Sequence, residues 1–334
     1  QFWMKKNKID IFLVNRTDEF FNEYIASYAQ RLKWISNFSG SAAKAIILQS
    51  KSFIFVDGRY TLQANQELNK KLFKVKHINE YWNWLDKNTF PKINLGVDPS
   101  LHSINEITKL EKITNNNKSS LLFLKKNPID LFWTNKPGYP KTKVFIHPIK
   151  YSGMSINKKI KILQSILKKE KIDYYLITSL DSLAWLLNLR GRDISYNPLT
   201  ISYLIIPLKG KVELFIENYK IKHIKKILSP KINFNSFSLI KNYISGIKGK
   251  KILGFDSTKT NYNFKIICVN NKIAFKHFPD PCFSLKAQKN KIEIAGAKKA
   301  NIRDGLSVTK YLFFLKNLKN LDKLNEISAA KRLY

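Results

Sequence analysis

Short apolar runs alternate with amphipathic stretches through the first half of the chain. Residues 9–14, 45–48, 53–56 and 93–97 are runs of strand length rich in Ile, Val, Leu and Phe. Between them, apolar residues at helical spacing predict helices over 19–28, from Tyr60 to Leu68, over 81–85 and after Ser103. Residues 32–38 carry Trp34 and Phe38 and read as a loop entering a sheet, ending in the turn Ser39-Gly40-Ser41, where glycine allows a backbone that other residues resist. Gln49-Ser50-Lys51-Ser52 joins the two middle runs as a hairpin. The second of these runs stops at Asp57-Gly58-Arg59-Tyr60, where Asp57 is placed to N-cap the next helix and Arg59 sits at the strand-to-helix junction. Alternation of this kind predicts an α/β layer fold. Residues 124–139 hold Pro128 and Pro137 with Pro140 just beyond, which predicts an ordered arm in place of helix or sheet.

The second half restates the first. Ile172-Asp173-Tyr174-Tyr175-Leu176-Ile177 follows Ile9-Asp10-Ile11-Phe12-Leu13-Val14, and Trp185, Asn188 and Gly191 follow Trp34, Asn37 and Gly40. Runs at 203–206 and 212–216 repeat the hairpin, and Gly254-Phe255-Asp256-Ser257 repeats Gly96-Val97-Asp98-Pro99. An offset of about 160 residues is too long for a solenoid and fits two tandem copies of one domain. The copies differ where the first has Asp57-Gly58-Arg59-Tyr60, because the second has Glu217-Asn218-Tyr219 and no arginine. That difference nudges Arg59 from a structural role toward a functional one. Residues 181–189 read as a buried helix ending at Gly191. Arg190, Arg192 and Asp193 read as a solvated turn with a local ion pair, a phosphate or substrate cluster being the alternative.

Three stretches carry a family resemblance. IDIFLVNRTDEFFNEYI, WISNFSGSAAKAIIL and FVDGRYTLQA in the first copy, LDSLAWLLNLRGRDISYNPLTISYLII in the second, and KNKIEIAGAKKANIRDGLSVTKYLFFLK with LNEISAAKRL at the end resemble the aminopeptidase P (Xaa-Pro aminopeptidase) family, creatinase-like relatives of the pita-bread metallopeptidases. The resemblance implies creatinase-like domains over 1–142 and 143–286 and the start of a truncated pita-bread catalytic domain over 287–334. It implies removal of the amino-terminal residue that precedes proline in a peptide. Two divalent metal ions, with Mn2+ expected, would be held by two aspartates, a histidine and two glutamates of the catalytic domain. Arg59, in the DGRY motif, would help bind the peptide. A homodimer in the cytosol is expected for the complete enzyme. Asn301 stands where the family leads one to expect histidine.

The metal chemistry does not follow from the residues present. Beyond Lys286 the acidic residues are Glu293, Asp304, Asp322 and Glu326, and no histidine follows His277. That set cannot make the ligands, so this chain is expected to be inactive alone. His77, His102, His147, His223 and His277 are scattered without paired metal spacing and read as ordinary surface or packed residues. A helical apolar face of Ile292, Ala295, Ile302, Leu306, Val308, Leu312 and Leu315 needs a partner surface.

Bulk composition changes this picture little. The chain has 334 residues, enough for two domains, with 44% hydrophobic residues. No apolar run approaches the roughly 18 residues of a membrane span. The chain opens at Gln1 with its first methionine at position 4 and shows no charged-then-apolar leader, as an incomplete chain would. Its formal charge of +35 comes from dispersed lysines without a nucleic-acid motif, so specific nucleic-acid binding stays a third reading. The second is a non-catalytic creatinase-like binding or dimerisation module. Cys268 and Cys282 lack zinc spacing and read as buried thiols in a reducing cytosol.

Overall fold

A computed structural model describes residues 1–319 and 324–333; Asp322, named above, lies outside the described residues. The four apolar runs of the first half become strands β1 Ile11–Asn15, β2 Ala43–Leu48, β3 Ser52–Val56 and β5 Asn94–Val97, and two strands not expected from the sequence, β4 Phe73–His77 and β6 Ser120–Phe123, join them. They form one mixed sheet in the order β4-β3-β2-β1-β5-β6. The three central strands are antiparallel neighbours, and parallel strands flank them on both sides. Strand residues alternate between faces. Ile11, Leu13, Ile46 and Phe55 enter one apolar cluster, while Phe12, Val14, Ala45, Ile47 and Ile54 enter another.

The second half builds the same sheet. β7 Phe145–Ile146 and β9 Leu189–Arg190 make a small antiparallel ribbon. β8 Tyr174–Ile177, β10 Tyr203–Pro207, β11 Val212–Phe215, β12 Ile232–Asn235, β13 Ile252–Phe255 and β14 Ala274–His277 assemble in the order β12-β11-β10-β8-β13-β14, which matches the first sheet strand for strand. The correspondence reaches single hydrogen bonds. Asp10 accepts the Asn94 N–H at 2.9 Å and Asp173 accepts the Ile252 N–H at 2.9 Å. At the ends of β5 and β13, Asp98 and Asp256 accept the N–H groups of Ser100 and Thr258 at 2.9 and 2.8 Å.

The copies meet through equivalent helices, Ile104–Asn116 and Tyr262–Asn270. Their N-terminal turns exchange a reciprocal pair of backbone bonds, Ile104 N–H to Thr260 O at 3.1 Å and Tyr262 N–H to His102 O at 3.0 Å. Tyr262 also donates to Glu111 at 2.7 Å. One apolar cluster runs from Ile11 and Leu110 in the first copy through Phe20 to Tyr203, Phe255 and Phe264 in the second. The interface is therefore core, which holds the two sheets as one body.

Four local expectations are corrected. Residues 19–28 are irregular, with only the turn Ser27–Ala29 helical. The buried Asp18 carboxylate takes the N–H groups of Phe20 and Asn22, and Phe21 sits at φ 57°, which no helix tolerates. Residues expected as a loop instead form the helix Arg31–Ser36, ended by Asn37 in the left-handed region at φ 66°. The proline-bearing arm contains the short helix Pro128–Phe132, with Pro128 in the first turn where its missing N–H costs nothing. The helix expected to end at Gly191 is Leu180–Leu186, and Asn188 at φ 47° turns the chain, as Asn37 does in the first copy.

Elsewhere the expected elements are present. The hairpin β2–β3 pairs in register, the helix after Ser103 opens with a Ser103/Glu106 capping box, and both cysteines are buried. Lys291–Lys316 is one continuous helix in which no residue is buried. No described helix is long and apolar enough to cross a membrane.

Candidate functional site

The Arg59 corner is built by what surrounds it. Strand β3 ends at Val56, and the Asp57 carboxylate accepts the Arg59 N–H at 3.0 Å, capping the turn Gly58–Tyr60 that feeds the helix Thr61–Glu67. The same carboxylate takes Arg59 Nε at 2.8 Å. The guanidinium lies 5.4 Å from the Tyr60 ring centre, so one face is backed by an aromatic ring. Its two terminal amino groups make no hydrogen bond with the described residues. The Arg59 side chain is 72% exposed. Pairing with Arg59 holds the Asp57 carboxyl below its ordinary range and the guanidinium above its own. The result is a fixed, protonated fork facing outward, able to bind a carboxylate or carbonyl bidentately.

The corner is tied to the Ser39-Gly40-Ser41 turn. Ser41 and Tyr60 share a hydroxyl hydrogen bond of 2.6 Å. Arg16 donates to Ser41 O at 2.9 Å and to Glu23 O at 2.8 Å, and burial lowers its pKa. Glu67 takes the Ser39 N–H and hydroxyl at 2.7 and 2.6 Å. Gly40 is needed for close approach, because a Cβ there would stand 2.3 Å from the buried Phe38 ring. Sequence reasoning missed Arg16, Ser41 and Tyr60 as supports. The signal lay in the repeat, since the matching place in the second copy is also bridged.

In that copy the bridge is ionic, and it corrects the solvated-turn reading of 190–193. Asp193 is buried against Lys220, with side-chain exposures of 0% and 2%. Its carboxylate also accepts from Thr142 Oγ1 at 2.6 Å, Thr200 Oγ1 at 3.1 Å and the Ile201 N–H at 2.7 Å. Arg190 is spent on the carbonyls of Ala184 and Leu189, both at 2.8 Å. Asp193 is therefore structural, while Arg192 is exposed and its side chain makes no hydrogen bond with the described residues. Lys220 follows Glu217 by three residues, as Tyr60 follows Asp57, so the two copies pin the same corner by different chemistry.

No group of three or more His, Cys, Asp or Glu side chains that could hold a metal ion is present among the described residues. The described residues therefore do not fit a two-metal site. His102 is buried with Nδ1 on Asp98 O at 2.9 Å, and Asn301 is exposed and bonds back to Ala297 O at 2.9 Å.

Comparison with known proteins places this geometry. Two models described as creatinase/prolidase N-terminal domain match residues 1–122 and 135–293. A protein of Paracoccidioides lutzii named "Probable Xaa-Pro aminopeptidase P" is 33% identical over 99% of this chain and 56% of its own length. One of Aspergillus fumigatus with the same name is 34% identical over 99% and 53%. The solved X-prolyl aminopeptidase of Caenorhabditis elegans, described as a cytosolic enzyme with a di-nuclear active site, matches at TM-score 0.90 and 26% identity over 97% of this chain. The chain belongs to the creatinase/prolidase N-terminal domain family, whose models together cover most of it, and is similar to aminopeptidase P proteins. It spans about half the length of the aminopeptidase P proteins it matches, 55% in the Caenorhabditis elegans enzyme, and carries two creatinase-type domains.

Proposed function

We propose that this chain is the amino-terminal part of an Xaa-Pro aminopeptidase, acting on peptides with proline in second position. In this reading domains I and II occupy 1–142 and 143–286, and 287–334 opens a pita-bread catalytic domain. Arg59 binds the peptide substrate from the rim, and the two divalent ions, with Mn2+ as the metal, belong to the catalytic domain. The complete enzyme is a cytosolic homodimer. The observation that carries the reading is the match of 97% of the chain to one half of a solved X-prolyl aminopeptidase at TM-score 0.90. Two features of the chain support it. Arg59 is held as an outward fork with unspent donors, and the helix Lys291–Lys316 leaves Ile302 and Phe313 more than 70% exposed, as a segment awaiting a covering domain would.

The experiment is to extend the coding sequence beyond Tyr334, express the product and follow release of the first residue from an Xaa-Pro peptide with added Mn2+. Activity in the extended protein, none in the present chain, and an Arg59→Ala variant with KM raised on the order of tenfold and kcat little changed are expected. An unchanged KM removes Arg59 from substrate binding. A stop codon after Tyr334 leaves peptidase ancestry only. In that case the bare helix, together with the lack of a metal cluster among the described residues, favours the second reading, a non-catalytic binding or dimerisation module.

A further inference from the structure

A cavity of about 220 Å³ opens where the two domains meet. Glu19, Tyr139, Tyr203, Phe237, Lys241 and Asn261 are among the residues that line it. Tyr203 and Phe237 stack with ring centres 5.2 Å apart, and Tyr139 lies 5.8 Å from Phe237. Asn261 is 3% exposed; its Nδ2 donates to Glu19 O at 3.0 Å, while its Oδ1 is buried with no partner among the described residues. Glu19 accepts from Tyr28 OH at 2.8 Å and from Arg31 at 3.4 Å, which leaves carboxylate lone pairs unspent.

These features ask for one kind of ligand. A buried acceptor without a donor is costly, and the Glu19 carboxylate, though paired with Arg31 at 3.4 Å, keeps acceptor positions open. Aromatic faces attract cations by their quadrupoles. Burial and the nearby Glu19 charge push the Tyr139 and Tyr203 phenols up, so both stay neutral. The chain's formal charge of +35 opposes cation binding overall, so these local acceptors and aromatic faces must outweigh it. Lys241 sits exposed on the rim, where water and salt screen its ammonium, so its repulsion of a bound cation is weakened.

We propose that the interdomain cavity binds a small organic cation, an alkylammonium or guanidinium group, which donates to Asn261 Oδ1 and the Glu19 carboxylate and packs on Tyr203 and Phe237. Such a ligand touches both domains at once. The site is independent of Arg59 and of the peptidase reading.

The test titrates the chain with n-butylammonium chloride, following Trp and Tyr signals or heat at ionic strength held constant with NaCl, and with n-butanol as the neutral isostere. The expected result is saturable one-site binding of the ammonium, much weaker binding of the alcohol, and about tenfold weaker ammonium binding in Glu19→Gln from loss of a charge-assisted hydrogen bond. Because Glu19 also steadies Tyr28 and Arg31, Phe237→Leu serves as a second variant; it keeps those bonds and weakens binding about threefold by removing an aromatic face. Equal binding of alcohol and ammonium, absence of saturation, or wild-type affinity in both variants overturns the proposal and leaves a cavity filled by water alone.

Discussion

Removing one partner of the Asp193–Lys220 pair separates a buried ion pair from a surface one. With 0% and 2% of the side chains exposed, water neither screens the pair nor rescues a survivor. Lys220→Met keeps the shape of the aliphatic stem and strands Asp193, but three donors from Thr142, Thr200 and Ile201 remain on that carboxylate. The cost falls at the low end of the range for a broken buried pair, about 3 kcal/mol. Asp193→Ala strands an ammonium with no other acceptor among the described residues and frees three donors as well, so about 5 kcal/mol is expected. The double variant strands neither charge and should cost well below the sum, with a coupling of about 3 kcal/mol. Urea unfolding followed by tryptophan fluorescence and by circular dichroism measures all four corners of the cycle, provided the slope with denaturant is shared. A coupling below about 1 kcal/mol, the worth of an exposed pair, would refute the reasoning.

Three further outcomes follow from the structure. Burial raises the Asp18 pKa from 3.8 to about 6, so between those values the folded chain binds more protons than the unfolded one, and this group's contribution to stability falls as pH rises through that window; Asp18→Asn should flatten that part of a stability-against-pH curve. Gly191→Ala would place a Cβ 2.8 Å from the Leu199 carbonyl oxygen, which is backbone and cannot swing aside, so a loss of about 1–3 kcal/mol is expected in thermal or urea unfolding. Ile302→Asp with Phe313→Asp alters residues that are 75% and 71% exposed, and should leave the unfolding midpoint unchanged while reducing self-association in sedimentation.

The central strands of each sheet were legible because their residues are buried on both faces and read as continuous apolar runs, whereas the outer strands β4, β6, β12 and β14 are partly or wholly exposed and were not. The repeat was legible because Asp10 and Asp173, like Asp98 and Asp256, make matching bonds to backbone that only a shared fold demands. What failed was local structure set by distant partners. The apolar spacing of Phe20, Ile25 and Tyr28 suggested a helix face, yet Phe20 packs on Tyr203 at 4.8 Å in the other domain while Asp18 supplies the turn. Asp193 looked like a surface charge beside two arginines, because Lys220, which buries it, lies 27 residues away. For the candidate site, Asp57 and Arg59 were visible from their place at a strand end. Their dependence on Ser41 and Arg16 was not, since those residues reach the corner only once β2 and β3 are paired.

The reciprocal bonds between Ile104 and Thr260 and between Tyr262 and His102 join equivalent groups in both directions. That is the pattern of a local two-fold axis, the contact two separate copies of one domain would make as a symmetric pair. Here the arm between the copies makes that association intramolecular, so its strength does not depend on protein concentration. Symmetry no longer obliges the halves to stay alike. One can carry an exposed arginine at the corner where the other buries a lysine, a division of labour closed to two identical subunits.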